Sequence, residues 1–349
     1  MKKLFIALAI AGASVGGAHA QSAVEIYGVV DMGFVAESGT TPTATTKVTP
    51  VNKLTSGVQS GTRLGFKGTE NLGDGMKALF VLETGIAADA GGFNQGNTAF
   101  ARQSFVGLQS DLGTLTLGRQ YTPLFNTMLI ADPFAAGMAG AGQNLLVPAG
   151  NIRSNNTVKY TSPVFGGGFT TEIAYGLGEA VDNSSKGHQS SAALNYSAND
   201  LKLSLAYSDW SVVGTTTNLR KDWFLAANYD LQIAKIFAGI TDTSDATITG
   251  NALKSNDYLI GAQLPVGKHT FIASYINKDV RNAANRDANM FAVGYTYAFS
   301  KRTNLYAAWG RIDNDSLAGF AANRSYTVGN NSELGTGEKA FNFGLRHLF

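Results

Sequence analysis

The sequence predicts an all-β protein, a transmembrane antiparallel β-barrel of about 16 strands. Three observations support this prediction. Apolar and polar residues alternate along many segments of strand length, short and long connections alternate between these segments, and the chain closes on the strand-like run AFNFGLRHLF (340–349). Alternation of period two places apolar side chains on one face of a strand and polar side chains on the other, which suits a wall between lipid and water.

The first 20 residues have the pattern of a cleaved secretory signal peptide. A short basic start, MKK, precedes an apolar run over 4–12, and AHA at 18–20 forms an A-x-A cleavage site. A transmembrane anchor is disfavoured because the run is shorter than the ~20 residues that span a bilayer. We therefore expect a signal peptide over 1–20 and one domain, the barrel, over 21–349.

The composition argues against several functional classes. Of the 27 Lys and Arg residues, Lys2 and Lys3 lie in the signal segment, and the remaining 25 equal the 25 acidic residues. Nucleic-acid binding calls for a basic surplus, so none is expected. There is no cysteine, and the four histidines stand apart in the sequence. Because metal ligands occur in clusters, we expect no metal site, no cofactor and no histidine-based catalysis.

Strand-like runs with one apolar face recur along the chain, most clearly at 24–34, 169–177, 201–207 and 291–299. Between the runs, tight turns are expected at 71–74, 110–113, 163–168, 199–200, 231–232, 265–268 and 300–301. Longer polar or glycine-rich connections are expected at 36–57, 87–98, 123–152, 178–187, 211–219, 243–254, 279–287 and 313–337. Roughly seven turns and eight loops give about 16 strands, and bacterial barrels have even strand numbers.

The final strand predicts how the sheet closes. Phe341, Phe343 and Leu345 share one face, and the chain stops at Phe349. An outer-membrane barrel must close its last strand in lipid, so we interpret Phe349 as part of an assembly signal and not of the pore. Tyrosines, tryptophans and phenylalanines near other strand ends are typical of the two aromatic girdles of such barrels.

Four segments resemble the general porins of Gram-negative bacteria, especially the trimeric, 16-stranded type of beta-proteobacteria. They are GTRLGFKGTENLGDGMKALFVLETG (61–85), ARQSFVGLQSDLGTLTLGRQYTPL (101–124), NTVKYTSPVFGG (156–167) and FGLRHLF (343–349). The resemblance covers essentially all of 21–349. It implies a homotrimer in the outer membrane, in contact with lipid and served by the assembly machinery, that passes ions and small hydrophilic solutes. It also implies that the third long loop, here 123–152, folds into the lumen.

Strand phase places charged side chains in the lumen where their sequence neighbours are apolar and face lipid. The side chains placed in this way are Arg63, Lys67, Arg153 and Lys159. The phase around Arg102 is ambiguous, and the resemblance favours an inward position. A charge on the lipid face near the midplane would cost ~2–4 kcal/mol, which also favours the lumen for each arginine.

The resemblance assigns Arg63, Arg102 and Arg153 to a basic cluster at the pore constriction, opposite acids on the inward loop. That loop contains one acid, Asp132. Because charge rings set ion selectivity, the sequence predicts a weakened transverse field and a modest preference for anions.

Two points about these charges stay open in the sequence. The arginines could instead be wall residues paired to acids such as Glu83 or Asp31, which we also expect to line the pore. Arg119 precedes the inward loop, and its phase points to the lipid or trimer side unless the strand bends, so no role is assigned to it.

Other functions also stay open. A substrate-specific porin differs from a general one only in details of the pore. An outer-membrane barrel hydrolase needs a nucleophile or water-activating group beside an oriented base, which the sparse histidines do not favour. A soluble exported β-sandwich that binds sugar would lack a lipid-facing band. The sequence therefore favours a channel that is not an enzyme.

Overall fold

The computed structural model describes residues 23–40, 47–147, 151–179, 186–211, 219–245, 253–281, 287–315 and 326–349. The expected signal peptide over 1–20 lies outside these residues. The described chain forms antiparallel strands that join into one closed sheet. In chain order they are β1 (Ala23–Thr40), β2 (Lys47–Ser56), β3 (Arg63–Gly73), β4 (Met76–Ala87), β5 (Gly92–Phe93), β6 (Gln103–Ser110), β7 (Gly113–Tyr121), β8 (Arg153–Thr161), β9 (Phe169–Gly176), β10 (Gln189–Ala198), β11 (Leu201–Ser211), β12 (Leu219–Asp230), β13 (Lys235–Asp245), β14 (Leu253–Val266), β15 (His269–Val280), β16 (Ala288–Ala298), β17 (Thr303–Asn314) and β18 (Lys339–Leu348).

These strands make 16 barrel positions. β3 pairs with the first part of β1 and β2 pairs with its second part, so β2 and β3 together occupy one position. β5 is a two-residue strand that pairs only with the end of β4. β1 closes the barrel against β18, with Phe34 opposite Phe343. The predicted 16-stranded antiparallel barrel is confirmed.

The outer face of the barrel is apolar and exposed. On β18, Phe341 and Phe343 are exposed, whereas Ala340 before them and Asn342 between them are buried. Ile26 is 61% exposed, far more than an isoleucine in a water-soluble core. Such a continuous apolar exterior is what lipid would cover, and a soluble sandwich would bury it instead.

The end of the chain completes the sheet. Phe349 and Gly28 exchange two backbone hydrogen bonds of 3.1 Å. A Cβ built on Gly28 would lie 2.3 Å from the Phe349 ring, so the glycine leaves room for that ring. Phe349 therefore belongs to the outer surface of the closing seam, and its part in assembly stays a prediction.

The predicted first loop, 36–57, is wrong in its extent. β1 continues to Thr40 and β2 already begins at Lys47. Here the side chains no longer alternate cleanly between apolar and polar, although the backbone pairing continues. The alternation of apolar and polar side chains depends on what each face of a strand contacts. The backbone hydrogen bonds between strands form without it. The predicted tight turns coincide with strand ends, as at Ser110–Gly113 between β6 and β7.

The third long connection lies inside the barrel. It begins with a helix, Pro123–Ala131, here called the loop helix. Thr122 caps this helix, because its Oγ1 accepts a hydrogen bond from the Phe125 amide at 3.1 Å, and Pro123 occupies the first turn. Two 3₁₀ turns follow, Met138–Gly140 and Gly142–Asn144. Within the described part of the chain, no helix is long and apolar enough to cross a membrane.

The buried apolar core lies between this inward segment and the barrel wall. Leu124 and Met128 of the loop helix are buried with Phe224 of β12. Further along, the Gln263 side chain donates to the Pro133 carbonyl at 2.5 Å. A Cβ on Gly310 of β17 would lie 2.3 Å from the Ala139 carbonyl oxygen, so only glycine admits the chain there. The inward segment thus covers the wall from β9 to β18 and leaves the wall from β3 to β8 uncovered.

Residues 57–62, between β2 and β3, leave the sheet and turn inward. Val58 is fully buried, and its carbonyl accepts a hydrogen bond from the Met138 amide at 2.7 Å. The amides of Gln59 and Ser60 donate to Asp31 Oδ2 at 2.8 and 2.5 Å. This inward turn at 57–62 therefore connects the tip of the inward segment to β1.

Candidate pore constriction

Three arginines meet on the uncovered wall. Arg63 begins β3, Arg102 directly precedes β6, and Arg153 begins β8. Glu83 of β4 and Tyr121 of β7 lie between them in the strand order. These five residues are called the arginine wall below. The sequence predicted the three arginines on one wall, and the structure brings them together there.

Glu83 pairs with two of the arginines. Its Oε1 lies 2.8 Å from Arg102 Nε, and its Oε2 lies 3.6 Å from Arg63 Nε. The hydroxyl of Tyr27 donates to Oε2 at 3.0 Å. Glu83 is 4% exposed, so the carboxylate is largely shielded from water and compensates part of the wall's charge.

Tyr121 joins the other side of the wall. Its hydroxyl accepts hydrogen bonds from Arg102 Nη2 at 2.7 Å and Arg153 Nη2 at 2.9 Å. The Arg153 guanidinium also lies over the Tyr121 ring, 4.5 Å from its centroid, which is a cation–π geometry. The ring in turn stacks on Phe125 of the loop helix at 5.2 Å. This stack connects the guanidinium groups to the N-terminal end of the loop helix, where the inward segment begins.

Within the arginine wall, Arg153 is the arginine whose charge is not compensated by an acid. Among the described residues, no carboxylate lies within ion-pair distance of it, and its buried Nε has no hydrogen-bond partner. The arginine wall therefore holds three positive charges and one negative charge. Since charge rings bias the passage of ions, this surplus is positioned to attract anions.

Asp132 lies inside the backbone of its own loop. Its carboxylate accepts hydrogen bonds from the amides of Phe134, Ala136 and Gly142 at 2.8–2.9 Å, and the residue is 2% exposed. Burial raises the pKa of the Asp132 carboxyl to about 6, against the opposing effect of the three amide donors. The role of Asp132 as the acid that faces the arginines stays a prediction. In the structure, the partners of its carboxylate are backbone amides of the same loop.

The other predicted pore-lining charges lie apart from the arginine wall. Asp31 is fully buried and holds the bulge at 57–62, and the Tyr306 hydroxyl donates to it at 2.6 Å. Lys67 pairs with Glu25 at 3.1 Å. Lys159 pairs with Glu172 at 2.8 Å, an acid that the sequence did not single out.

Arg119 occupies a bent strand. The register of β7 against β8 shifts between Gly118 and Gln120, and Gly118 has a φ of +133°. Arg119 donates to the Ala101 carbonyl at 2.6 Å and also to the Asn155 side chain. The extra residue at this shift lies on β8, where Asn155 and Asn156 together lie opposite Arg119, and Asn156 has a φ of +50°. Strand phase did not single out Tyr121, which ends β7 at this point.

A second set of charges lies on the covered wall. Arg220 makes a two-pronged pair with Asp222 at 2.7–2.9 Å, and its Nη1 lies 3.1 Å from Asp245. Lys278 lies 2.7 Å from Asp257. These five residues, all buried, are called the paired clusters.

The paired clusters also hold the returning part of the inward segment. Lys278 Nζ donates to the Leu145 carbonyl at 3.0 Å, and the Asn151 amide donates to Asp222 Oδ2 at 3.2 Å. In the described part of the chain, no group of three or more His, Cys, Asp or Glu residues could hold a metal ion.

The structure is a closed barrel with an apolar exterior, charged side chains on its inner wall and a chain segment folded into its lumen. These features define the class of protein. It is a membrane-spanning pore protein whose passage is narrowed by its own loop.

The comparisons with known proteins identify the family. The Gram-negative porin family profile matches residues 7–317, and the chain belongs to that family. It is 32% identical to outer membrane porin protein 32 of Delftia acidovorans, with 100% of both chains covered. It is 27% identical to an outer membrane porin of Bordetella pertussis, with 94% of this chain and 99% of the relative covered.

Solved structures agree with this identification. An anion-selective porin from Comamonas acidovorans matches with a TM-score of 0.78 and 28% identity, over 94% of this chain and 100% of that one. OmpF of Salmonella typhi matches with a TM-score of 0.68 at 16% identity, which shows the shared fold alone. The chain is thus an outer-membrane porin, and the predicted family, location and pore function are confirmed.

Proposed function

We propose that this porin passes ions and small hydrophilic solutes with a modest preference for anions, set at a constriction between the arginine wall and the inward segment. The observation that carries the proposal is the uncompensated charge of that wall. Glu83 neutralises part of it, and Arg153 has no acidic partner among the described residues. The solved relative from Comamonas acidovorans is described as anion-selective.

The inward segment adds little opposing charge. The sequence of 123–152 contains a single charged residue, Asp132. Three backbone amides enclose its carboxylate, so its field towards the lumen is offset by donor dipoles. An anion passing the wall therefore meets attraction on one side and no strong repulsion on the other.

Membership of the porin family supports the remaining parts of the proposal. The chain acts as a channel and not as an enzyme, loses a signal peptide over 1–20, and works as a homotrimer with one pore per subunit. Its outer face contacts outer-membrane lipid. Phe349 serves as a signal for the assembly machinery.

The proposal is tested by recording purified protein in a planar bilayer that separates two KCl concentrations. The zero-current voltage should have the sign of net chloride permeation, and a trimer should insert as three equal conductance steps. A voltage of the opposite sign would contradict the charge assignment. Single, independent steps would contradict the trimer while leaving the selectivity intact.

A further inference from the structure

One arginine outside the arginine wall lies on the inner face of β18, the strand that closes the barrel. On this strand Asn342 is buried on the inner face, and Leu345 is exposed on the outer face. Side chains alternate along a strand, so Arg346 shares the inner face with Asn342. The Arg346 side chain is partly exposed, and the space that it faces is the lumen.

The guanidinium of Arg346 has no acidic partner at contact distance. Its Nε donates to the Asn304 side chain at 3.0 Å, which fixes its orientation. Among the described residues, no carboxylate lies within ion-pair distance of this guanidinium. Its two terminal nitrogens make no hydrogen bond within the described part of the chain. These donors are therefore left for a solute.

Asp31 is the acid that lies opposite Arg346 across the pair of β1 and β18. Its carboxylate is fully buried and already accepts hydrogen bonds from the Tyr306 hydroxyl and the amides of Gln59 and Ser60. A solute in the lumen can contact the Arg346 guanidinium, but it cannot contact this carboxylate. Because the energy between two charges falls with distance, the arginine outweighs the acid for an anion in contact with it.

Arg346 extends the arginine wall across the closing seam of the barrel. Arg63 lies opposite Val29 on one side of β1, whereas Arg346 lies opposite Asp31 on the other side. Two strand spacings and two residues along β1 separate the Cα atoms of the two arginines by ~12 Å. Both side chains project into the same lumen, so an anion that leaves one guanidinium is within a short distance of the other.

Arg346 lies nearer than Arg63 to the end of the barrel that carries the tight turns. It lies opposite Asn304, beside the turn at 300–301. Arg63 instead begins β3, at the opposite end of that strand from the turn that follows Gly73. Short turns face the periplasm in outer-membrane barrels. The path from Arg63 to Arg346 therefore runs from the constriction towards the periplasm.

We propose that Arg346 is a further selectivity residue, which receives anions between the arginine wall and the periplasmic mouth of the pore. The proposal rests on the proposed anion preference and adds a second contact point to it. Guanidinium N–H groups form charge-assisted hydrogen bonds with anionic acceptors such as carboxylates and phosphates. The orienting contact with Asn304 leaves the terminal nitrogens free for this purpose.

The test measures the ratio of chloride to potassium permeability from the zero-current voltage in a KCl gradient. Arg346→Gln should lower this ratio by about twofold, because it removes a unit charge from beside the ion path. Arg346→Lys keeps the charge and should keep most of the ratio, which a role confined to packing would not explain. An unchanged ratio in Arg346→Gln would overturn the inference.

A matched control removes the same charge from the outer face of the neighbouring strand. Arg311 of β17 is exposed, and Gly310 and Ile312 on either side of it are buried, so its side chain faces away from the lumen. Arg311→Gln should leave the permeability ratio unchanged. Equal losses in Arg311→Gln and Arg346→Gln would overturn the inference, because the effect would then not depend on a position in the lumen.

A double variant separates a direct contact with anions from simple neutralisation of Asp31. Arg346→Gln combined with Asp31→Asn removes both charges and should keep the lowered ratio of the single variant. Recovery of the original ratio would show that the two residues act as a neutral pair, and would overturn the inference. Failure of the proposed function is distinguishable, because it requires a preference for potassium in the unmodified protein.

Discussion

The two walls of this barrel treat charge in opposite ways. On the covered wall, the two cations of the paired clusters each contact at least one carboxylate, and all five residues are buried beneath the inward segment. On the uncovered wall, Glu83 pairs with Arg63 and Arg102, and Arg153 has no carboxylate partner among the described residues. Charge on the first wall stabilises the position of the loop, and charge on the second is left to act on solutes.

The comparison shows that the number of charges in a pore does not by itself predict selectivity. A buried cation with a carboxylate at 2.7 Å, such as Lys278, presents little net field to the lumen. Arg153, bound to a neutral tyrosine hydroxyl, keeps its full charge. Substitutions on the covered wall should therefore change stability, and substitutions on the uncovered wall should change ion preference.

The largest expected effect is that of Lys278→Met. The substitution leaves Asp257 buried without its cation and removes the donor to the Leu145 carbonyl. Removal of one partner of a buried pair costs about 3–5 kcal/mol. We expect a lower unfolding temperature in detergent and a noisier single-channel current, because the inward segment loses an attachment.

A matched double variant separates charge from packing. Lys278→Met combined with Asp257→Leu removes both charges, and such apolar replacements of buried pairs are often close to neutral. The double variant should recover most of the lost stability. If it is no more stable than the single variant, the pair does not act as this comparison requires.

A smaller effect is expected for Asp132→Asn. The amide group can no longer accept from all three backbone donors, and an unsatisfied buried donor costs about 1–3 kcal/mol. Stability should fall by that amount, while the zero-current voltage in a KCl gradient should change little. A large shift towards anions with unchanged stability would instead identify Asp132 as the acid that faces the pore, as the sequence suggested.

The sequence predicted the features that depend on strand phase. Phe341, Phe343 and Ile26 lie on the lipid face because period two is imposed by the backbone itself. Arg63 and Lys159 could be placed on the inner wall for the same reason. Five of the seven tight turns, all but 231–232 and 300–301, contain glycine, asparagine, aspartate or proline, the residues that turns favour.

Features that depend on breaks in the strands could not be predicted. The extra residue of β8 opposite Arg119 interrupts the alternation between Lys159 and Arg153, and the inward turn at 57–62 removes Asp31 from the lumen surface. The orientation of Asp132 depends on amides that are distant until the inward segment folds around it. In each case, tertiary contacts determine the orientation of a polar side chain. Residue spacing in the sequence does not predict these contacts.

The most direct test of the account compares ion selectivity in two variants that change charge on the inner wall. Arg153→Gln removes the uncompensated charge, and the double variant Lys159→Gln with Glu172→Gln removes a pair that is already neutral. A unit charge ~8 Å from a passing ion contributes about 0.5 kcal/mol in water, or about a twofold change in permeability. In a KCl gradient, Arg153→Gln should lower the ratio of chloride to potassium permeability by about twofold or more, and the double variant should retain the original ratio. An unchanged ratio in Arg153→Gln, or equal losses in both variants, would contradict the account.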